Sequence, residues 1–304
     1  MRRPPRQISA PREEEETRLN AQFWLIQSFN GISYGALLFL LASGLTLIFG
    51  VMRIVNLSHG AYFLLGGYIA LSVIWATGSW VLAVPVAALA VAVVGLAMER
   101  VFLRPLGFDP LRQVLLTVGF AILFQQAALD IWGGNNLDIT PPDMLRGSMV
   151  VGELHLPIYR IFMIGMAVVL GAILWLVMEK TRAGAMIRAA VDDSQMARGV
   201  GIDTSRVSMF IFALGAFLAA LAGVIGGGFL GIYPGLDFEI LPVAFAVVII
   251  GGMGSLTGAA VGSLIVGLAD NFGKALFPEV SYFTLYAPMV LILALKPTGL
   301  FGRE

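Results

Sequence analysis

The residues whose types and spacing could do chemistry lie in one short stretch, Asn56, Ser58 and His59, followed by Gly60. A serine beside a histidine suits nucleophilic catalysis, but that chemistry needs an orienting carboxylate and an oxyanion site, and neither is evident. The stretch also lacks the first glycine of the G-x-S-x-G elbow of hydrolases. A glycine-flanked polar break in an apolar run can instead leave backbone groups free to line a cavity. Two interpretations stay open for these residues: part of a transport pathway, or an ordinary cytoplasmic turn.

Other signatures of enzymes are weak. The two histidines, His59 and His155, cannot form an H-E-x-x-H site, and the chain has no cysteine. The nearest approach to a nucleotide-binding P-loop, from Gly267 to Lys274, has five residues between its glycines and Ala275 in place of Ser or Thr. We therefore predict that the chain is not an enzyme and binds no metal or cofactor itself. A net charge of zero argues against a nucleic-acid partner.

Polar and glycine positions inside apolar runs are the better candidates for function, because polar groups are costly in lipid. Gln125 lies within one apolar run, and a glycine-rich break in another contains Gly252, Gly254 and Ser255. We expect these residues to border a pathway together with the polar break described above. For His59 we expect a structural hydrogen bond rather than a proton relay.

The composition places these residues in a membrane. Of the 304 residues, 58% are hydrophobic and 12% are charged, whereas a soluble domain carries roughly 25% charged residues. Four long windows contain no charged residue: 19–52, 54–98, 207–236 and 240–269. Each is long enough for one or two bilayer crossings of about 20 residues. Because the apolar runs are continuous rather than alternating, they predict an all-α, polytopic membrane protein and not a barrel.

We expect eight or nine crossings, all within a transmembrane domain of residues 21–304, at about 23–49, 61–76, 80–102, 114–132, 157–178, 207–230, 240–269 and 281–295. The run 240–269 is broken by glycines from Gly251 to Gly254, which predicts two short crossings or half-helices. Small residues four apart on the sixth crossing, Gly215 and Ala219 among them, favour tight packing within the chain over a subunit interface. The charged and proline-rich composition of residues 1–20 predicts a disordered polar tail.

Lys and Arg in the connections set the orientation. The segment 179–206 carries five of them and is placed in the cytoplasm, whereas 133–156 has three carboxylates against one Arg and is placed outside. Lys296 and Arg303 place the C-terminus inside, which requires two short crossings with a cytoplasmic turn at 251–254. By the same parity the N-terminus lies outside, although its five arginines argue the reverse.

The cytoplasmic segment 179–206 is long for a connection in a helical bundle. We expect a helix from about Ala183 to Met196 within it. A charged cytoplasmic loop is ordinarily a solvated face, but long loops are often functional, and a short helix here could dock on a soluble partner.

Four blocks in one order resemble the branched-chain amino-acid ABC transporter permeases of the LivH type. They are the runs 50–60 (G-V-M-R-I-V-N-L-S-H-G), 184–202, 251–259 (G-G-M-G-S-L-T-G-A) and 296–302 (K-P-T-G-L-F-G). The resemblance covers about residues 22–302, and the N-L-S-H element favours the LivH type over its LivM-type sister. Gly199 and the paired Asp192 and Asp193 are variations within the second block.

The resemblance implies an importer in the bacterial inner membrane. This chain and a LivM-type permease would form the pathway, two cytoplasmic ATPase subunits would hydrolyse the ATP, and an extracytoplasmic binding protein would deliver the substrate. It also implies that the cytoplasmic segment couples to the ATPases through Arg188, Ala190, Asp193, Ala197, Arg198 and Gly201.

The resemblance implies branched-chain or other neutral amino acids as substrates, and importers of urea and short amides, which use similar permeases, stay an alternative. A stand-alone channel or secondary transporter would need ion-coupling carboxylates in the membrane and an internal repeat. We see no clear repeat and expect no charged residue deep in a crossing, since Glu239 and Asp270 are expected at helix ends.

Overall fold

The structure is a computed structural model that describes residues 13–107, 109–152 and 154–302. Its α-helices are α1 (Glu13–Met52), α2 (His59–Thr77), α3 (Trp80–Met98), α4 (Pro110–Trp132), α5 (Ile158–Lys180), α6 (Arg182–Asp192), α7 (Ser194–Gly199), α8 (Thr204–Leu230), α9 (Leu236–Gly251), α10 (Leu256–Leu276) and α11 (Ser281–Leu295). A π-helical turn, Glu99–Leu103, extends α3, and 3-10 turns lie at Arg104–Leu106, Asp143–Leu145 and Pro278–Val280.

Seven of the described helices are long and apolar enough to cross a membrane: α1, α2, α3 with its extension, α4, α5, α8 and α10. The shorter α9 and α11 lie in the same bundle and pack on α10. The predicted helical membrane bundle is confirmed, and α9 and α11 bring the number of its segments among the described residues to nine. The helices α1, α2 and α8 are mostly buried, whereas α4 and α5 turn most of their apolar side chains outward, as lipid-facing helices do.

The glycine break between α9 and α10 is a turn, as the interpretation of two short crossings requires. Gly254 lies against Gly50 near the end of α1. The backbone N–H groups of Leu300 and Phe301 donate to the carbonyls of Ile250 and Gly251, each at 2.9 Å. The end of α1, the glycine turn and the C-terminal run therefore lie on one side of the bundle, which the positive charges assign to the cytoplasm.

Small residues bring the central helices into contact. A Cβ added to Gly66 on α2 would lie 2.4 Å from the Cα of Ala220 on α8, and one added to Gly95 on α3 would lie 2.5 Å from the Cβ of Ala216. A Cβ added to Gly44 on α1 would lie 2.7 Å from the carbonyl oxygen of Gly215. Close packing of α8 within the chain is thus confirmed, because each of these contacts leaves no room for a side chain.

Three segments differ from the sequence predictions in their secondary structure. The predicted disordered tail is helical over residues 13–20, where α1 begins, and residues 1–12 lie outside the described part. The outer segment 133–156 contains a short antiparallel hairpin, β1 (Ser148–Val151) paired with β2 (Leu154–Pro157). The single helix expected over 183–196 is broken at Asp193, whose carboxylate accepts from the N–H groups of Gln195 and Met196 and caps α7.

Candidate functional site

The polar break at the start of α2 is fixed by hydrogen bonds between Asn56 and Ser58. The Oδ1 atom of Asn56 accepts from the hydroxyl of Ser58 at 2.6 Å and from its backbone N–H at 3.1 Å. This local Asn turn ends the connection from α1 and lets α2 begin at His59. All three side chains are fully buried, with no exposed surface. In this conformation they hold the chain in place and do not form a surface of the cavity described below.

His59 anchors the start of α2 to the middle of α1. Its Nε2 atom lies 3.0 Å from the carbonyl oxygen of Leu41, so Nε2 carries the proton and donates. The expected structural hydrogen bond is therefore confirmed. Leu41 precedes the end of α1 at Met52 by eleven residues, which is about 16 Å along a helix axis. Because a hydrocarbon core is about 30 Å thick, α2 begins near its middle.

Gly60 is where α2 meets α9. A Cβ on Gly60 would lie 2.4 Å from the carbonyl oxygen of Asp237 and 3.1 Å from the Cβ of Leu241. Asp237 lies in the first turn of α9, which runs from there to the cytoplasmic turn. The N-terminal ends of both helices therefore meet within the bundle, and a helix that starts at mid-membrane depth is a usual place for a transport site.

The glycine turn between α9 and α10, residues 252–255, is held in place by hydrogen bonds to neighbouring helices. Gly252 and Gly254 have φ angles of 99° and 86°, which only glycine adopts freely. The backbone N–H of Gly254 donates to the Thr46 hydroxyl at 3.1 Å, and the Ser255 hydroxyl accepts from the N–H of Gly258 at 3.0 Å and caps α10. The turn thus joins α1, α9 and α10, and its predicted place on the pathway stays a prediction.

A groove of about 500 Å³ runs between α4, α9 and α11. Its walls are almost wholly apolar, and they are formed by Leu57, Val118, Phe238, Leu241, Pro242, Phe245, Ala246, Ile249, Tyr286 and Met289. We call it the α4–α9–α11 groove. Leu57 comes from the polar break itself, so the hydrogen bonds of Asn56 and Ser58 position one wall of the groove. Gln125 does not line this groove; it is half-buried and lies beside Gly235, just before α9.

The predicted coupling residues of the cytoplasmic segment 179–206 lie on two faces, one packed against the bundle and one exposed. Ala190 and Ala197 are buried, at 4% and 3% exposure, so they pack inward and are not free to contact a partner. Arg198 and Gly201 are exposed, and Arg188 is half-buried with a guanidinium nitrogen 3.8 Å from Glu179. Sequence reasoning missed the large apolar side chains that share this surface: Met186, Met196 and Val200 are 41%, 65% and 71% exposed.

The expectation that no charged residue lies deep in the bundle is wrong. Asp237 and Glu99 are each 2% exposed. The sequence did not indicate their burial. Asp237 directly follows a charge-free window and Glu99 directly precedes a basic turn, and both positions are typical of residues at the membrane interface. Asp270 is also buried, yet it pairs with Lys274 at 2.7 Å near the outer end of α10, and Glu239 accepts from the Tyr233 hydroxyl in the first turn of α9. The expected helix-end position of Glu239 is confirmed, whereas Asp270 lies more than one turn before the end of α10 at Leu276, so its expected position at a helix end is wrong.

Comparison with known proteins agrees with this architecture. A family model described as the permease component of branched-chain amino acid transport systems matches residues 27–293. The high-affinity branched-chain amino acid transport system permease protein LivH of Escherichia coli is 32% identical, over 92% of this chain and 96% of LivH. The corresponding protein BraD of Pseudomonas aeruginosa is 31% identical over the same shares. A probable LivH of Methanocaldococcus jannaschii is 26% identical, over 90% of this chain and 91% of that protein. No solved structure matches the chain.

Proposed function

The chain belongs to the family of permease components of branched-chain amino acid transport systems, and on that premise we propose that it imports branched-chain amino acids across the bacterial inner membrane. It is a transport subunit of an ABC importer. A second, LivM-type permease completes the pathway, two cytoplasmic ATPases supply the energy, and an extracytoplasmic binding protein delivers the substrate. The observation that carries the proposal is the similarity over nearly the whole chain, joined to an apolar groove that Leu57 of the polar break borders.

We place this subunit's half of the pathway along the α4–α9–α11 groove. Its volume of about 500 Å³ lies within the range of about 300–1,000 Å³ that small-molecule sites occupy. Walls of Leu, Val, Phe and Ile favour an aliphatic side chain over urea or a short amide, because apolar surfaces gain by contact with alkyl groups. The second permease closes the open side of the groove.

The polar break and α9 set the width of the groove. Leu57 enters one wall because Asn56 and Ser58 fix the turn that carries it. The opposite wall is α9, whose first turn rests on Gly60. A movement of α9 relative to α2 therefore changes the groove directly, which is how an alternating-access motion would reach the substrate.

The ATPases act through the exposed face of α6 and α7. Met196, Val200 and Arg198 give this face apolar contact area with a cation beside it, a composition suited to a protein partner. Ala190 and Ala197 pack inward from the same helices. A push on the exposed face is thereby transmitted to the bundle through packed side chains.

The test is uptake by the complete transporter reconstituted in proteoliposomes with its binding protein and ATP. We expect labelled leucine, isoleucine and valine to accumulate, and labelled urea and acetamide to stay outside. Val118→Trp, which fills the groove from α4, should reduce leucine uptake at least tenfold. Leu123→Trp is the matched control, because Leu123 lies on the same helix, is 58% exposed and does not line the groove. Uptake of urea without leucine would overturn the proposal.

A further inference from the structure

We propose that Asp237 and Tyr68 form a mid-membrane subsite for the α-ammonium group of the transported amino acid. This inference rests on the proposed function and names the chemical group that the permease itself recognises. Asp237 lies in the first turn of α9, and Tyr68 lies on α2, the helix that the first turn of α9 contacts at Gly60.

Asp237 is a buried carboxylate in need of a cation. It is 2% exposed, and neither of its carboxylate oxygens has a hydrogen-bond partner among the residues that the structure describes. Backbone N–H groups of residues 235, 237 and 238, at the start of its own helix, approach the carboxylate, and no side chain among the described residues bonds to it. An ionised group in a membrane interior is costly unless another charge approaches it, which is why such residues mark transport paths.

Two helix starts meet close to this carboxylate. Asp237 is the second residue of α9, and Gly60 is the second residue of α2. Gly60 lies against the backbone carbonyl oxygen of Asp237. Helix N-termini carry partial positive charge, and two of them meet at this point. A cationic group that reaches this point therefore meets a carboxylate without a permanent side-chain partner.

Tyr68 supplies a second unused polar atom. Its hydroxyl is fully buried and has no partner within the described chain, while its ring is stacked on Trp132 with 4.9 Å between centroids. The Asp237 carboxylate also lacks a hydrogen-bond partner, and the two residues lie on helices, α2 and α9, that pack against each other. A third group between them would satisfy both. An ammonium has three N–H donors, enough for the carboxylate and the tyrosine oxygen together.

The position of Asp237 also fits the rest of an amino acid. The next residue, Phe238, and Leu241 one turn later both line the α4–α9–α11 groove. An ammonium bound at Asp237 would therefore direct an aliphatic side chain into that groove. Urea and simple amides carry no cation and would leave the carboxylate unpaired, so Asp237 selects against them.

The experiment uses the complete transporter in proteoliposomes and compares Asp237→Asn with Glu239→Gln. Both replace a carboxylate by its amide in the same helical turn, but Glu239 is exposed. We expect Asp237→Asn to lower leucine uptake about tenfold or more, from the loss of a charged hydrogen bond. ATP hydrolysis stimulated by leucine-loaded binding protein should continue, so that uptake per ATP falls. Glu239→Gln should transport normally, and Asp237→Glu should restore part of the uptake.

Each outcome separates the subsite from the proposed function. Leucine uptake by the wild type with equal uptake per ATP by Asp237→Asn would overturn the subsite and leave the proposed function standing. Failure of the wild type itself to import leucine would refute the proposed function. If Asp237→Asn does not assemble, Tyr68→Phe decides the question, because it keeps the ring on Trp132 and removes only the hydroxyl. Unchanged uptake per ATP in that variant would overturn the subsite.

Discussion

Gly60→Ala tests the contact between α2 and α9 on which the description of the site depends. The added Cβ would lie 2.4 Å from the carbonyl oxygen of Asp237, 3.1 Å from its carbonyl carbon and 3.1 Å from the Cβ of Leu241. Ordinary contact begins at 3.4 Å, so the start of α9 must move by about 1 Å. Backbone stands in the way, so no rotation of a side chain can relieve the clash.

Such overpacking typically costs about 1–3 kcal/mol. Since Ala is a better helix former than Gly by up to about 1 kcal/mol, part of that cost is offset. Gly119→Ala on α4 is the matched control, because an added Cβ there meets nothing within 4 Å. We expect Gly60→Ala to lower the thermal unfolding midpoint in detergent and to reduce leucine uptake, whereas Gly119→Ala should match the wild type in both. Equal stability and uptake in the two variants would refute the claim that α2 and α9 meet at Gly60.

Two further variants test the polar break and the cytoplasmic face. Asn56→Ala removes the acceptor of both Ser58 hydrogen bonds, so we expect it to destabilise the purified protein by about 1–3 kcal/mol and to reduce uptake; a variant with wild-type stability would contradict the anchoring role. Met196→Glu places a charge on the exposed apolar surface of α7, so we expect normal membrane insertion but loss of ATPase binding in co-purification. If Met196→Glu keeps ATPase binding and uptake, the docking surface does not include Met196. The control is Gln195→Glu, which places the same charge on the neighbouring exposed residue.

The sequence was sufficient for the bundle because the signals that define it are local. A charge-free window is a property of consecutive residues, and so is the glycine break at 251–254, which predicted the turn between α9 and α10. Lys and Arg in the connections likewise assigned one side of the bundle to the cytoplasm. These features need no knowledge of which helix packs against which.

The depth of the site could not be predicted in the same way. That α2 begins near mid-membrane follows from the hydrogen bond between His59 and Leu41, and the burial of Asp237 follows from its contact with Gly60. Both contacts join segments far apart in the chain. The inward direction of Ala190 and Ala197 likewise depends on which faces of α6 and α7 meet the bundle. They were named as coupling residues because they lie in a sequence block that resembles the family, and such a resemblance does not show which face of a helix a residue occupies.

The claim that the α4–α9–α11 groove carries the substrate is tested most directly by protection of a single cysteine. The chain has no cysteine of its own, so Phe245→Cys introduces a single thiol on the groove wall. The rate of its modification by a small water-soluble thiol reagent is measured in the complete transporter with ATP and binding protein. We expect leucine to slow the modification of Phe245→Cys, whereas Leu123→Cys on the outer face of α4 should react at a rate that leucine does not change. A rate at Phe245→Cys that is equal with and without leucine would contradict it.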